Sequence, residues 1–250
     1  MTLGLLTVIL VAIFLGSVAQ RIAGVGFALL LSPILVMLLG AHTGIMMINI
    51  CSVVSCGLIV PRVWADINWN MFWWLTIPAT LGTIGGSFVA VNVPSAPLVV
   101  TVGAIVIFAL GLSVMLHRAS VTVSGNPPKA LAGLGSGLTN SLAGVGGPTV
   151  SAYAVLARWP QREFASTLQP YFLVICLITV GVRTWLNPSH LPQLDWWMWA
   201  ALGVMIVVGI FTGEKLLRHI KDDHARVAVI IMAFVGALAA LIKGLLDLNS

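Results

Sequence analysis

The sequence predicts an all-α polytopic membrane protein of two homologous repeats, inverted in topology, each a Gly-broken helix or re-entrant hairpin plus three spanning helices. Three observations carry that prediction. First, 59% of the 250 residues are hydrophobic and 8% charged, with a mean hydropathy of +1.07, where soluble domains carry about a quarter charged. Second, a spanning helix needs roughly 20 apolar residues, so the length allows about six to ten crossings and almost no soluble domain. Third, Ala23-Gly24-Val25-Gly26 recurs 120 residues later as Ala143-Gly144-Val145-Gly146.

Apolar runs predict helices near 3–19, 27–39, 44–60, 71–92 and 97–116, then near 129–142, 147–157, 165–182, 197–217 and 225–246. Five segments match five. Residues 1–119 form the first repeat and 130–250 the second. The linker, 120–129, holds Ser124-Gly125-Asn126-Pro127-Pro128, turn chemistry that cannot continue a helix. At the 120-residue offset Gln20 falls on Asn140 and Asn49 on Gln169. After an insertion of seven, Asn68-Trp69 falls on Asp195-Trp196, and Gly82 and Gly86 fall on Gly209 and Gly213. Met1 to Leu15 lack a basic leader and a small-residue cleavage site, so Met1 is the expected mature start.

The arms beside each Gly signature are short. If each pair crosses the membrane once, the basic residues divide six against five. If each pair returns to its starting side, Arg62, Arg118, Lys129, Arg158, Arg162, Lys215, Arg218, Lys221 and Arg226 gather on one face, with Arg183 and Lys243 opposite. The positive-inside rule selects the second arrangement, with the basic loops cytoplasmic and both termini outside. Three crossings per repeat then turn the second repeat upside down relative to the first.

Irregular backbone at membrane depth is tolerated only where it lines a cavity or is buried in protein. Gly24, Gly26, Gly144, Gly146 and Gly147 are therefore expected to face inward, with Pro148 starting the next helix. Helix N-termini converging there offer unpaired N–H groups and partial positive charge to an anion. Arg21 is the costliest side chain in the apolar sequence and a candidate for holding a sulfonate-like or carboxylate-like group. Gln20, Asn49, Thr139, Asn140, Ser141 and Gln169 could supply neutral hydrogen bonds.

Pro170 should kink or open its helix. The tryptophans near segment ends read as interfacial anchors. Asp195 and Glu214 read as solvated helix-end residues. Cys51, Cys56 and Cys176 lack metal spacing and read as small core residues. The five histidines, His42, His117, His190, His219 and His224, are scattered, and no nucleophile, acid pair or metal set marks an enzyme. No cofactor is expected, and the thinly spread basic residues argue for membrane topology rather than nucleic acid.

The doubled Gly-rich signature, followed by Asn68-Trp69 or Asp195-Trp196 and then by Gly-x-x-x-Gly helices, resembles the sulfite exporter TauE/SafE family of permeases over nearly the whole chain. Gly146-Gly147-Pro148 fits that family's glycines followed by proline, whereas Gly26-Phe27-Ala28 departs from it. The resemblance implies a multi-pass permease of the cell inner membrane, surrounded by lipid and compatible with a homodimer. Its substrate would be a small anion such as sulfite or a sulfonate, exported by alternating access between the repeats. An anion channel, a membrane-embedded enzyme and a subunit of an energy-coupled complex are the competing readings.

Overall fold

The computed structural model describes residues 3–23, 27–116, 122–216 and 222–248. Among the described residues it contains no strand and ten α-helices. The first five are α1 (Leu3–Ala23), α2 (Phe27–Leu39), α3 (Ala41–Val63), α4 (Trp69–Asn92) and α5 (Ser95–Leu116). The others are α6 (Asn126–Ala143), α7 (Gly147–Leu156), α8 (Gln161–Leu186), α9 (Trp196–Leu216) and α10 (Asp222–Leu248). Among the described residues, five helices are long and apolar enough to cross a membrane, with spans at Gly4–Ile22, Ala41–Asp66, Trp69–Asn92, Gln161–Leu186 and Trp196–Leu216.

Several helices exceed the apolar runs that announce them. α8 starts at Gln161 because its first turn carries Glu163, a favourable charge at a helix N-terminus that an apolar-run reading passes over. α6 starts at Asn126 with prolines in its first turn, so the residues that end one helix begin the next. α1 is 21 residues long, about 31 Å, enough to span unaided. α8 continues through Pro170, whose missing N–H leaves the Ser166 carbonyl without its i+4 donor.

The second Gly signature turns the chain back on itself between α6 and α7. The Val123 N–H donates to the Leu156 carbonyl at 2.9 Å, so the chain enters α6 and leaves α7 at one level. A methyl carbon at Gly135 would lie 3.4 Å from Thr149, and one at Gly146 would lie 2.8 Å from Ser136 Oγ. α1 and α2 fold the same way, with Gly16 against Leu31 and Phe27. The two helices of each pair therefore lie side by side as the arms of a hairpin.

The hairpins do not pack within their own halves alone. α1 lies parallel to α9, since Gly209 meets Phe14 and Ser17 while Gly213 meets Val18 and Arg21. α6 lies parallel to α4 by matching contacts: Gly82 meets Leu134, and Gly86 meets Leu138 and Ser141. Small residues let these backbones touch, as helix pairs in lipid require. α3 and α8, which lie 120 positions apart in the sequence, run antiparallel, with His42 beside Arg183 while Asn68, just beyond α3, donates its N–H to Thr167. α5 and α10 also run antiparallel, Gly103 meeting Ala237 and Leu241 while Gly244 meets Val99 and Val100.

Charges sort to the two ends of α3. Arg62 pairs with Glu214 at 3.1 Å and Arg162 with Asp66 at 3.0 Å at one end. At the other lies Arg183, and Lys243 donates to the Met37 carbonyl near the close of α2. Arg118, Arg218 and Lys221 fall outside the described residues. Trp64, Trp69, Trp73, Trp185 and Trp196 are exposed near helix ends, where amphipathic rings favour a lipid–water interface.

Candidate functional site

A cavity of about 30 Å³ lies where the two hairpin tips meet α3 and α8, room for about two water molecules. Four pairs of its lining residues are 120 positions apart: Gln20 with Asn140, Phe27 with Gly147, Ser52 with Phe172, and Cys56 with Cys176. α2 contributes its first turn through Phe27, Ala28 and Leu29, while Val145 comes from the turn before α7 and Gly147 from the first position of α7. N–H groups of a first turn have no intrahelical acceptor, so both helix ends present donors and partial positive charge there.

The carboxamides form two matched bonds between the two halves of the chain. Gln20 donates to Gln169 Oε1 at 3.2 Å, and Asn140 donates to Asn49 Oδ1 at 2.8 Å. At the 120-residue offset each pair is the image of the other. All four side chains are buried, where unmet donors and acceptors would be costly. Ser55 donates to Gln20 Oε1 at 2.7 Å, and Asn140 also donates to Thr179 Oγ1 at 3.0 Å. Gly144 makes the turn after α6 in the left-handed region, φ 69°, which suits glycine. Its N–H donates to the Asn140 carbonyl at 2.7 Å.

The structure thus gathers Gln20, Asn140 and Gly147 at the cavity wall, with Asn49 and Gln169 bonded behind them. The other expected residues sit elsewhere. Thr139 bonds back to the Gly135 and Ser136 carbonyls of its own helix. Ser141 donates to the Thr83 carbonyl at 2.8 Å and packs on Gly86, holding α6 to α4. Gly146 makes room for Ser136 within the hairpin, and Pro148 lies in the first turn of α7. Gly24 and Gly26 fall outside the described residues.

Arg21 does not line the cavity. Its side chain, 24% exposed, reaches Glu214 at 3.4 Å, and its Cβ lies against Gly213. Neighbouring helix residues point about 100° apart, so when Gln20 faces the cavity Arg21 faces α9. Because α1 spans fully, its last turn reaches the level of Arg62, and Glu214 joins both guanidiniums instead of being simply solvated. A pair this exposed contributes less than about 1 kcal/mol.

The cysteines are buried as small core residues, Cys51 and Cys176 within the apolar clusters, and Cys56 and Cys176 also line the cavity, with Gln20 Nε2 3.4 Å from Cys56 Sγ. Applying to them the offset that pairs Asn49 with Gln169 would have found both, as well as Ser52 and Phe172.

Hydrogen-bond donors and helix dipoles can bind and release an anion without changing it covalently. Among the described residues no group of three His, Cys, Asp or Glu side chains could hold a metal ion. No curated protein and no solved structure matches the chain significantly. The family model described as Sulfite exporter TauE/SafE matches residues 8–240. With multiple apolar helices of spanning length and two hairpins meeting at a cavity walled in part by Gln20 and Asn140, the chain belongs to the Sulfite exporter TauE/SafE family of membrane transporters.

Proposed function

We propose that this transporter is a secondary permease that exports sulfite or a small organosulfonate by alternating access at the cavity between two inverted repeats. The single observation that carries this reading is a cavity wall built of residue pairs 120 positions apart. The antiparallel run of the counterpart helices α3 and α8 supports inversion. Each hairpin brings a helix N-terminus to the substrate, and Gln20 and Asn140, whose amide hydrogens bond Gln169 and Cys56 in one case and Asn49 and Thr179 in the other, would turn from those partners to its oxygens. Rocking of one hairpin pair against the other would open the cavity alternately to each face. The end that gathers Arg62, Lys129, Arg158, Arg162 and Lys215 is cytoplasmic in this reading, and the termini lie outside.

Counterflow of labelled sulfite and of a small sulfonate in proteoliposomes tests this directly. Saturable exchange is expected for the unaltered protein, with at least about a tenfold loss in Gln20→Ala. That loss corresponds to about 1.4 kcal/mol, the worth of a hydrogen bond to a charged group. Arg21→Ala is expected to retain exchange within about threefold, because its head group is directed to Glu214. The reverse ranking would move the substrate to Arg21. No exchange in folded protein would overturn the reading, and flux far above carrier rates would make the protein a channel.

A further inference from the structure

Arg183 has 0% of its surface exposed, yet among the described residues no carboxylate lies within ion-pair distance of it. Its Nη1 donates to the Ser141 carbonyl at 3.2 Å, one of the last carbonyls of α6, which lack intrahelical donors. A helix C-terminus carries roughly half a negative charge, so this contact neutralises the guanidinium only in part. Nη2 lies 3.1 Å from His42 Nδ1. A guanidinium can only donate, so Nδ1 accepts and the His42 ring is neutral.

His190, from the short turn Pro188–His190, stacks on His42 with ring centroids 4.0 Å apart. Asn187 Oδ1 accepts from the Ser189 hydroxyl and N–H, which leaves its amide to donate to His190 Nε2 at 3.2 Å. The remaining His190 proton is therefore on Nδ1. Burial and the nearby Arg183 hold the His190 pKa below the ordinary value, so Arg183 is the one formal charge of this cluster near neutral pH. Arg183 Nε and His190 Nδ1 are both buried donors without a partner in the structure. A partly neutralised cation flanked by two orphan N–H donors has the form of a site lacking its acceptor.

We propose that Arg183, His42 and His190 form a second anion site, taking a small tetrahedral or pyramidal oxyanion. It lies seven residues along α8 from Cys176 on the same helix face, ~10 Å from the cavity. An oxyanion supplies acceptors to Nε of Arg183 and Nδ1 of His190 and completes the neutralisation of the guanidinium. The cluster stands at the end of α3 opposite Arg62, so it is separate from the Arg21–Glu214–Arg62 group. Its existence does not depend on transport through the central cavity.

Sodium sulfate is the probe, with equimolar charge as sodium chloride for comparison, on the purified full chain in detergent at pH 7. Sulfate at a hundred times its dissociation constant is expected to raise the melting temperature by about 5 °C, unchanged in Thr139→Val and reduced by at least about half in Arg183→Gln. In the unaltered protein, sulfate is expected to protect Arg183 from phenylglyoxal at least about fivefold, read by mass spectrometry, with exposed Arg158 unprotected. That arm needs no variant to fold. A sulfate shift intact in folded Arg183→Gln would overturn the proposal. So would an Arg183 that reacts equally, or not at all, in both arms. Protection without counterflow would leave this site standing while the transport reading fails, and the converse would remove only this site.

Discussion

Asn140→Asp is expected to reduce sulfite exchange at least about a hundredfold while leaving the protein folded. The substitution keeps the side chain's size but replaces an N–H donor with an acceptor-only carboxylate. Asn140 donates to Asn49 Oδ1 at 2.8 Å and to Thr179 Oγ1 at 3.0 Å, and at the cavity wall it faces whatever anion enters. A full negative charge about 5 Å from a bound anion costs about 3 kcal/mol at an effective dielectric near 20, which alone is roughly a hundredfold or more in exchange. Gln20→Glu, its counterpart, should behave alike and guards against a folding defect peculiar to one site. Thr139→Val provides the contrast, because the Thr139 hydroxyl serves only its own helix, and should stay within about twofold. Counterflow on monodisperse protein decides the matter. Near-normal exchange in both acidic variants would remove the cavity from the substrate's path.

Gly137→Val is expected to cost about 3 kcal/mol or more and to leave little folded protein. A Cβ at residue 137 would collide with the Ala79 carbonyl oxygen and sit 2.8 Å from the Thr83 nitrogen. α4 would have to retreat by about an ångström, against an overpacking penalty usually of 1–3 kcal/mol and here aggravated because backbone cannot rotate away. The same retreat would open the neighbouring contacts of Gly133 with Leu75 and of Gly82 with Leu134. Gly85, also on α4, meets nothing within 4 Å, and Gly85→Ala should be neutral or stabilising by up to about 1 kcal/mol. Thermal unfolding followed by size exclusion in detergent gives the comparison. Equal stability of Gly137→Val and Gly85→Ala would mean that α4 and α6 do not touch along this stripe.

Much of this architecture was legible because the sequence recurs at a 120-residue offset and can be aligned with itself. The 120-residue offset locates both hairpins and pairs Gln20 with Asn140 and Asn49 with Gln169, and the shifted offset matches the glycines that hold α1 to α9 and α6 to α4. What the offset does not specify is rotation. Gln20 and Arg21 are adjacent in sequence and point to different neighbours, and Asn140 and Ser141 repeat the same division in the other half. Charge drew attention to Arg21, but packing directs it to Glu214. Arg183 carried a quieter signal: Gln169, Cys176 and Arg183 follow at seven-residue steps and therefore share a face of α8. The stack of His42 on His190 was out of reach, since 148 residues separate them and only tertiary folding joins them.

The exchange of partners between halves has a consequence for biogenesis. α1 is made well before α9, and although α2 covers one side of it, another face belongs to α9, with Gly209 closing on Phe14 after 195 further residues. During synthesis α1 must therefore wait in the bilayer with the face of Phe14, Ser17, Val18 and Arg21 uncovered, whereas α6 finds α4 already made. Contacts of such long sequence separation form slowly, and incompletely paired helices are vulnerable to misassembly and quality-control proteolysis. Truncation before α9 should leave α6 docked on α4 but that face of α1 bare, making α1 the first of these helices a membrane protease removes.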